Sequence, residues 1–424
     1  NGVATTLQLG TNQLTIESGA LLAMGGGGSS SHQITRQTSG GVSGGLTFGN
    51  ASNGYEAVIH TAIRLDVYAP IRDNIDSLGN TNKVTLIKSG TGELVMRADG
   101  GGLSTYGGDT YVNAGTLRVE GSNSVSFSSL SVIPTNTFLH INNRDATFDL
   151  WNSGQVLGGL DGWGRVLASG SGGSIGTNAL VVNYTNTSVV DRFDGWIQDG
   201  NSSAGRYLDV VKRGLGTLEF TTVGRTNLYR GDTIIEGGTL LMNGAHLSLS
   251  NTTDYIVRNG GTLGGTGLVQ IGGTFTFEDG ATLAPGNSPG TFTMDGDATF
   301  GSNAVLSFEL NGADTTVGGG INDLVVGIDD LYLDGILDIT ALGSFAGATT
   351  NDFWTLMTYD GSLLTNLLDI SAGSQSLLSG GQLFAIDDSF VGEIRLTVIP
   401  EPQTWALVRS EERRVGKECR LTCR

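Results

Sequence analysis

The stretch Lys88-Ser-Gly-Thr-Gly-Glu-Leu94, running on to Tyr106-Gly-Gly-Asp-Thr-Tyr-Val-Asn-Ala-Gly-Thr-Leu117, is written a second time about 124 residues later. There it reads Lys212-Arg-Gly-Leu-Gly-Thr-Leu218 and then Tyr229-Arg-Gly-Asp-Thr-Ile-Ile-Glu-Gly-Gly-Thr-Leu240, with one residue of gap between the two registers. Short apolar runs punctuated by glycine and repeated in sequence predict a stack of similar units, each covering its neighbour's apolar face. They do not predict a core gathered around one pocket.

Composition points the same way. Glycine supplies 68 of 424 residues and only 15% are charged, so the polar load falls on Ser, Thr and Asn. Thr fits a pleated surface, while Gly and Asn accept the positive φ of sharp corners. No sustained three-and-four spacing of apolar residues predicts a long helix, although Leu363-Leu-Thr-Asn-Leu-Leu368 reads as a brief helical turn. With 38% hydrophobic residues arranged as strands, the chain buries enough surface to offset its entropy and is not disordered. Strands are expected at Leu46-Thr-Phe48, Ala57-Val-Ile59, Arg64 to Tyr68, Phe138 to Ile141, Thr147 to Leu150, Gly164 to Leu167 and Leu180 to Val182, with a flexible loop through Gly25 to Ser31.

The balance of 23 basic against 41 acidic residues, a net charge of −18, gives nucleic acid no electrostatic support and excludes it as a partner. Both cysteines, Cys419 and Cys423, fall in the last six residues. The segment Arg409 to Arg420 resembles a translated sequencing adapter, so 409–424 is set aside as a non-native artefact. Without Met or a leader at Asn1, the chain reads as a fragment cut at both ends.

The twin blocks resemble the autotransporter-associated β-strand repeat, also called the passenger-associated transport repeat. Its signature falls on Lys88, Gly90, Gly92, Leu94, Tyr106, Gly108, Thr110, Gly115, Thr116 and Leu117. It falls again on Lys212, Gly214, Gly216, Leu218, Tyr229, Gly231, Thr233, Gly238, Thr239 and Leu240. What the resemblance implies is an all-β fold, a right-handed single-stranded parallel β-helix, in a secreted or surface-displayed protein of a Gram-negative bacterium. At about 25 residues and about 4.8 Å per coil, residues 1 to 408 give about 16 coils over about 80 Å. Residues 1–292 are expected to form the β-helix, with repeat blocks at 83–120 and 207–244, and 293–399 a less regular continuation or cap. Nothing resembles the strands of an outer-membrane barrel. After the last strand, Pro400, Glu401 and Pro402 resemble the start of a PEP-CTERM sorting tail over 400–408, which implies exosortase-type handling at the envelope.

Candidate chemistry is sparse. His32, His60, His140 and His246 lack metal-binding spacing, and no cofactor or metal site is expected. Asp329-Asp330 and Asp387-Asp388 are adjacent carboxylates, but neighbours in a strand point to opposite faces, so they read as turn residues rather than an acid and base pair. Asp295-Gly-Asp297 leaves calcium open. Trp151, Trp163, Trp196 and Trp354 read as packing before sugar platforms. The expectation is a non-catalytic structural or adhesive element of the envelope or exopolysaccharide matrix, with exopolysaccharide or cell-surface glycans as partners. The alternative is a carbohydrate-active β-helix enzyme, which requires carboxylates gathered on one lateral face over consecutive coils, or a glycan-binding module.

Overall fold

The computed structural model describes residues 5–25, 31–39, 42–98, 103–121, 131–151, 153–170, 178–200, 207–248, 250 and 252–400. Most of the loop expected at 25–31, along with Glu401, Pro402 and all of 403–424, lies outside the described residues. Two compact units emerge, Asn1–Thr262 with Gly267–Gly273, and Leu263–Thr266 with Thr274–Arg424. The chain thus divides some twenty residues before the boundary expected at 292/293.

The first unit is a parallel β-helix of three sheets. Sheet I runs from Thr6–Gln8 through Leu65–Val67, Glu93–Arg97, Thr116–Glu120, Thr147–Asp149 and Arg165–Ala168 to Trp196–Asp199. Sheet II stacks Ala20–Ala23, Glu56–Thr61, Thr85–Ser89, Thr110–Val112, Phe138–Ile141, Gly159–Gly162, Val190–Phe193, Thr217–Phe220 and Gly238–Met242. Sheet III stacks Gln155–Leu157, Asn178–Asn183, Leu208–Arg213, Thr233–Ile235 and Tyr255–Val257. The chain alternates between sheets II and I up to Asp149, visits III, II and I in turn from Gln155 to Asp199, and then alternates between III and II; each strand pairs in parallel with the strand one coil away. Backbone donors and acceptors are thereby satisfied along the stack rather than within a segment.

The interior follows from alternation. Leu65, Leu94, Leu117, Phe148, Val166 and Ile197 lie in register on six successive strands of sheet I, and none is more than 3% exposed. Each such side chain contributes about 1.5–3 kcal/mol through burial. A one-residue slip of any strand would turn its polar set inward, which fixes the register.

In the second unit, Thr282–Pro285, Val305–Asn311, Ile336–Gly343 and Asp369–Ile370 pair in parallel, as do Thr291–Phe300, Leu324–Leu333 and Phe353–Tyr359. Two of these strands reach 10 residues and carry bulges. Parallel winding then stops. Glu393–Ile399 pairs antiparallel with Phe353–Tyr359, and Leu383–Asp387 pairs antiparallel with Glu393–Ile399. Phe345, Trp354 and Phe384 pack ring against ring beneath this hairpin. The helical turn expected at 363–368 is instead the strand Leu363–Asn366, held by pairing with Leu324–Leu333. Tertiary hydrogen bonds override the weak local apolar pattern. The single described helix is Ala372–Gln375, where the Ser371 hydroxyl accepts from the Ser374 N–H. No helix among the described residues is long and apolar enough to cross a membrane.

Candidate functional site

Each repeat builds a corner of the coil around a buried lysine. Lys88 points inward between Ile59 and Val112, and Lys212 points inward between Val182 and Ile235. Both are 0% exposed. The Lys88 ammonium donates to the carbonyls of Ser89 (2.8 Å), Gly90 (2.7 Å) and, one coil on, Ala114 (2.8 Å). Lys212 donates to Arg213 (2.8 Å), Gly214 (2.7 Å) and Gly237 (3.1 Å). Burial pulls both ammonium groups down to about 8. Three carbonyls oppose that pull, because they match the three N–H donors of the charged form and would face the lone pair of a neutral amine. The lysine acts as a clamp between coils, with no donor left for a ligand.

The signature glycines serve the same corner. Gly90 and Gly214 hold φ of 76° and 73°, and Gly115 and Gly238 hold 66° and 65°. Gly92 and Gly216 answer a different need, since a Cβ at either would lie 2.5 Å from a backbone oxygen of the coil before. Gly108 and Gly231 stand equally close to Val84 and Leu208. Leu94, Val112, Leu117, Leu218, Ile235 and Leu240 are all fully buried, while Thr116 and Thr239, each just before an inward leucine, are only half-buried.

The signature tyrosines face threonines inside the coil. The Tyr106 hydroxyl lies 2.7 Å from Thr110 Oγ1, which meets Thr137 Oγ1 at 2.8 Å. Tyr229 lies 2.6 Å from Thr233 Oγ1, beside Tyr255 and His246. Burial pulls His246 down to about 4, so the ring is neutral. Its Nε2 reaches the Tyr229 carbonyl at 2.9 Å and Nδ1 the Tyr255 hydroxyl at 2.7 Å, which assigns Nε2 as the donor.

The two corners are not at equivalent places in the coil. Strands Thr85–Ser89 and Glu93–Arg97 join sheet II to sheet I, whereas Leu208–Arg213 and Thr217–Phe220 join sheet III to sheet II. The repeat is therefore a corner module rather than a whole-coil module.

A second cluster covers the outer face of sheet I, and inspection of neighbouring residues in sequence missed it. Asp66, Glu93, Glu120 and Asp149 come together from four coils, interleaved with Arg64, Arg97 and Arg118. Asp66 takes Arg64 at 2.8 Å and Arg97 at 3.0 Å; Arg118 reaches Glu93 at 2.8 Å and Asp149 at 2.9 Å; Arg97 pairs with Glu120. Burial alone would raise the Asp66 carboxyl, but hydrogen bonds from Arg64 and Arg97 outweigh it and hold the group below its ordinary value. At Glu120 burial wins over the three arginines and the carboxyl is raised. Trp151 lies 4.2 Å beneath the Arg118 guanidinium. Every carboxylate of the cluster has a guanidinium partner, an arrangement that cross-links coils.

On the outer face of sheet II, His140 is stacked between Tyr111 (4.3 Å) and Phe138 (4.8 Å), with its Nδ1 2.7 Å from Asp161 Oδ1. The ring faces cover one another, and the His140 Nε2 edge is buried. Trp354 is buried with its indole N–H on the Asn311 carbonyl, and Trp196 lies under Arg225. Trp163 is 44% exposed. Asp329 and Asp330 lie within the strand Leu324–Leu333 and not in a turn, because the strand extends past a bulge there. Asp387 closes its strand, and hydrogen bonds from Ser389 lower its carboxyl. No group of three or more metal-ligating side chains is arranged for a metal among the described residues. Pro400 ends the described chain just past the last strand.

Comparison with known proteins gives residues 86–119 and 210–242 as matches to the passenger-associated-transport-repeat family. These are the two lysine corners. The chain is similar to the adhesin BmaC autotransporter of Brucella suis biovar 1 (strain 1330), 38% identical over 130 residues, covering 27% of this chain and 4% of that protein. It is also similar to an extracellular serine protease of Serratia marcescens, 33% identical over 124 residues, covering 29% of this chain and 10% of that protein. The chain thus spans a small fraction of these relatives, 4% of one and 10% of the other.

Proposed function

We propose that the chain is a surface-displayed segment whose role is mechanical, holding adhesive surface outside a Gram-negative cell without catalysing a reaction. The observation that carries this reading is the fate of its charged groups. Both signature lysines and all four carboxylates of the sheet I cluster are consumed in bonds between coils, leaving no acid and base within these two sites held ready for substrate. Passenger-type repeats support export, and the name of the Brucella relative supports adhesion; exopolysaccharide or cell-surface glycans are the target this reading assigns. The Pro400 to Pro402 segment supports exosortase-type sorting.

The test is retention. Beads coated with the purified chain are expected to be held on glycan arrays or on cells bearing surface polysaccharide, with the polysaccharide unchanged in length. Absence of retention across neutral and acidic glycans and cells overturns adhesion. The carbohydrate-active alternative has one observation in its favour, the gathering of Asp66, Glu93, Glu120 and Asp149 on one lateral face. Release of new reducing ends or unsaturated sugars, lost in Glu120→Gln, would establish it instead.

A further inference from the structure

Three aspartates stand above one another on the outer face of sheet III. Asp209, Asp232 and Asp254 each precede a residue of one inward ladder, Val210, Thr233 and Tyr255, and so occupy one outward column on consecutive coils. The column is tied by its own carboxylates: Asp232 N–H donates to Asp209 Oδ1 at 2.9 Å, and Asp254 N–H to Asp232 Oδ1 at 3.0 Å. Gly231 makes this possible, because a Cβ there would sit 2.4 Å from Asp209 Oδ1. Rungs of a sheet lie about 4.8 Å apart, so ionised neighbours in such a column repel at close range.

The surroundings give little relief. Asp199, from the adjoining strand of sheet I, adds a further carboxylate. Arg230 is committed to that residue, at 2.8 Å, and lies over the Tyr207 ring. The Tyr229 hydroxyl on the inner side turns to Thr233. The next outward column is aliphatic, with Val211, Ile234 and Ile256 in register. Arg213, Glu236 and Arg258 pair among themselves beyond it. Among the described residues, neither Asp209 nor Asp232 forms an ion pair.

We propose that this column is a proton-operated latch, tightening the coils between Leu208 and Val257 in acid and loosening them above neutrality. Burial pushes Asp209 up to about 7, with Asp232 and Asp199 adding to the rise against one backbone hydrogen bond, and burial raises Asp232 as well. The folded chain therefore takes up protons at a pH where the unfolded chain, with carboxyls near 4, does not. Stability from the column is fully present below about pH 4 and is lost as pH rises through about 7. A protein displayed outside the cell would hold this region most firmly in acidic surroundings.

The full chain and its Asp209→Asn/Asp232→Asn double variant test this by urea denaturation at steps between about pH 5 and about pH 8. Asn keeps an oxygen for each backbone N–H and removes the titration. The wild-type midpoint is expected to fall across that range, and the double variant to lose at least about half of the fall. A double variant that falls as steeply as wild type overturns the latch, particularly if Asp191→Asn removes the fall. Should the double variant fail to fold, hydrogen exchange on the wild type decides. Protection of the Asp232 and Asp254 amides is expected to drop roughly tenfold more between the two pH values than that of Leu117 and Phe148 in sheet I. Equal drops overturn the proposal.

Discussion

The corner at Lys88 and the corner at Lys212 share nearly one sequence yet turn the chain between different pairs of sheets, II to I in the first and III to II in the second. Their hydrogen bonds are nevertheless the same, carbonyl for carbonyl, and so are the positive φ values of their glycines. What is duplicated is a local solution to bending a parallel stack, indifferent to which corner it serves. The corners differ in their neighbours. Leu94 stacks on Leu65, an aliphatic residue, whereas its counterpart Leu218 stacks on Asp191, a buried acid that accepts the Leu160 N–H at 2.7 Å and lies near enough to act on Lys212.

Removing the clamp is expected to have the largest effect. Lys88→Met and Lys212→Met each strand three buried carbonyls, at a cost of about 3 kcal/mol or more, read as a lower denaturation midpoint. The second loss should be the greater, because Asp191 also loses the favourable charge of Lys212. Equal losses would show that Asp191 and Lys212 are independent. Arginine is not expected to rescue either site, since a planar fork does not fit three converging acceptors.

Asp191→Asn sharpens the same contrast through pH. Burial pushes Asp191 up to about 7, so its contribution is present below about pH 4 and fades as pH rises through 7. Wild type and variant should diverge towards about pH 8, with the variant the more stable by on the order of 3 kcal/mol. Parallel profiles would show that the acid is already neutralised by its surroundings.

Features confined to a few neighbouring residues were legible from sequence. The inward Leu, Val and Ile of both blocks and the corner glycines follow from alternation and from the φ that a corner demands, while parallel winding was implied by the resemblance of the twin blocks to a repeat family. Which sheets a corner joins was not legible. Coil length varies inside the interval, with 23 residues between the in-register Leu94 and Leu117, 31 between Leu117 and Phe148 and 18 between Phe148 and Val166, so 124 residues do not return the chain to the same corner. The charge cluster of sheet I was hidden for a related reason. Its partners are separated by 31 residues in two pairs and by 23 between Arg97 and Glu120, so no fixed period reveals them. The closing antiparallel hairpin is invisible to periodicity, because its strands alternate as parallel ones do.

Gly90→Ala and Gly214→Ala test the corner as a module. Each places a Cβ on a residue with φ above 70°, at a cost of about 1–2 kcal/mol, and both also bring that Cβ 2.4 Å from a backbone oxygen. The two losses should agree within about 0.5 kcal/mol despite their different sheets. A large disagreement would mean that the neighbouring coil sets the bend, and the shared sequence would lose its physical meaning.

The smallest effect is expected where the chain is most heavily charged. Arg118→Lys keeps the charge but gives up the forked contact to Glu93 and Asp149 and the stacking on Trp151. Its side chain is only 15% exposed, so the loss should reach about 1 kcal/mol and shrink modestly in salt. A loss as large as that of Lys88→Met would place the main fastening of the coils on the outer face of sheet I. The inward corners would then be consequences of the stack rather than its clamps.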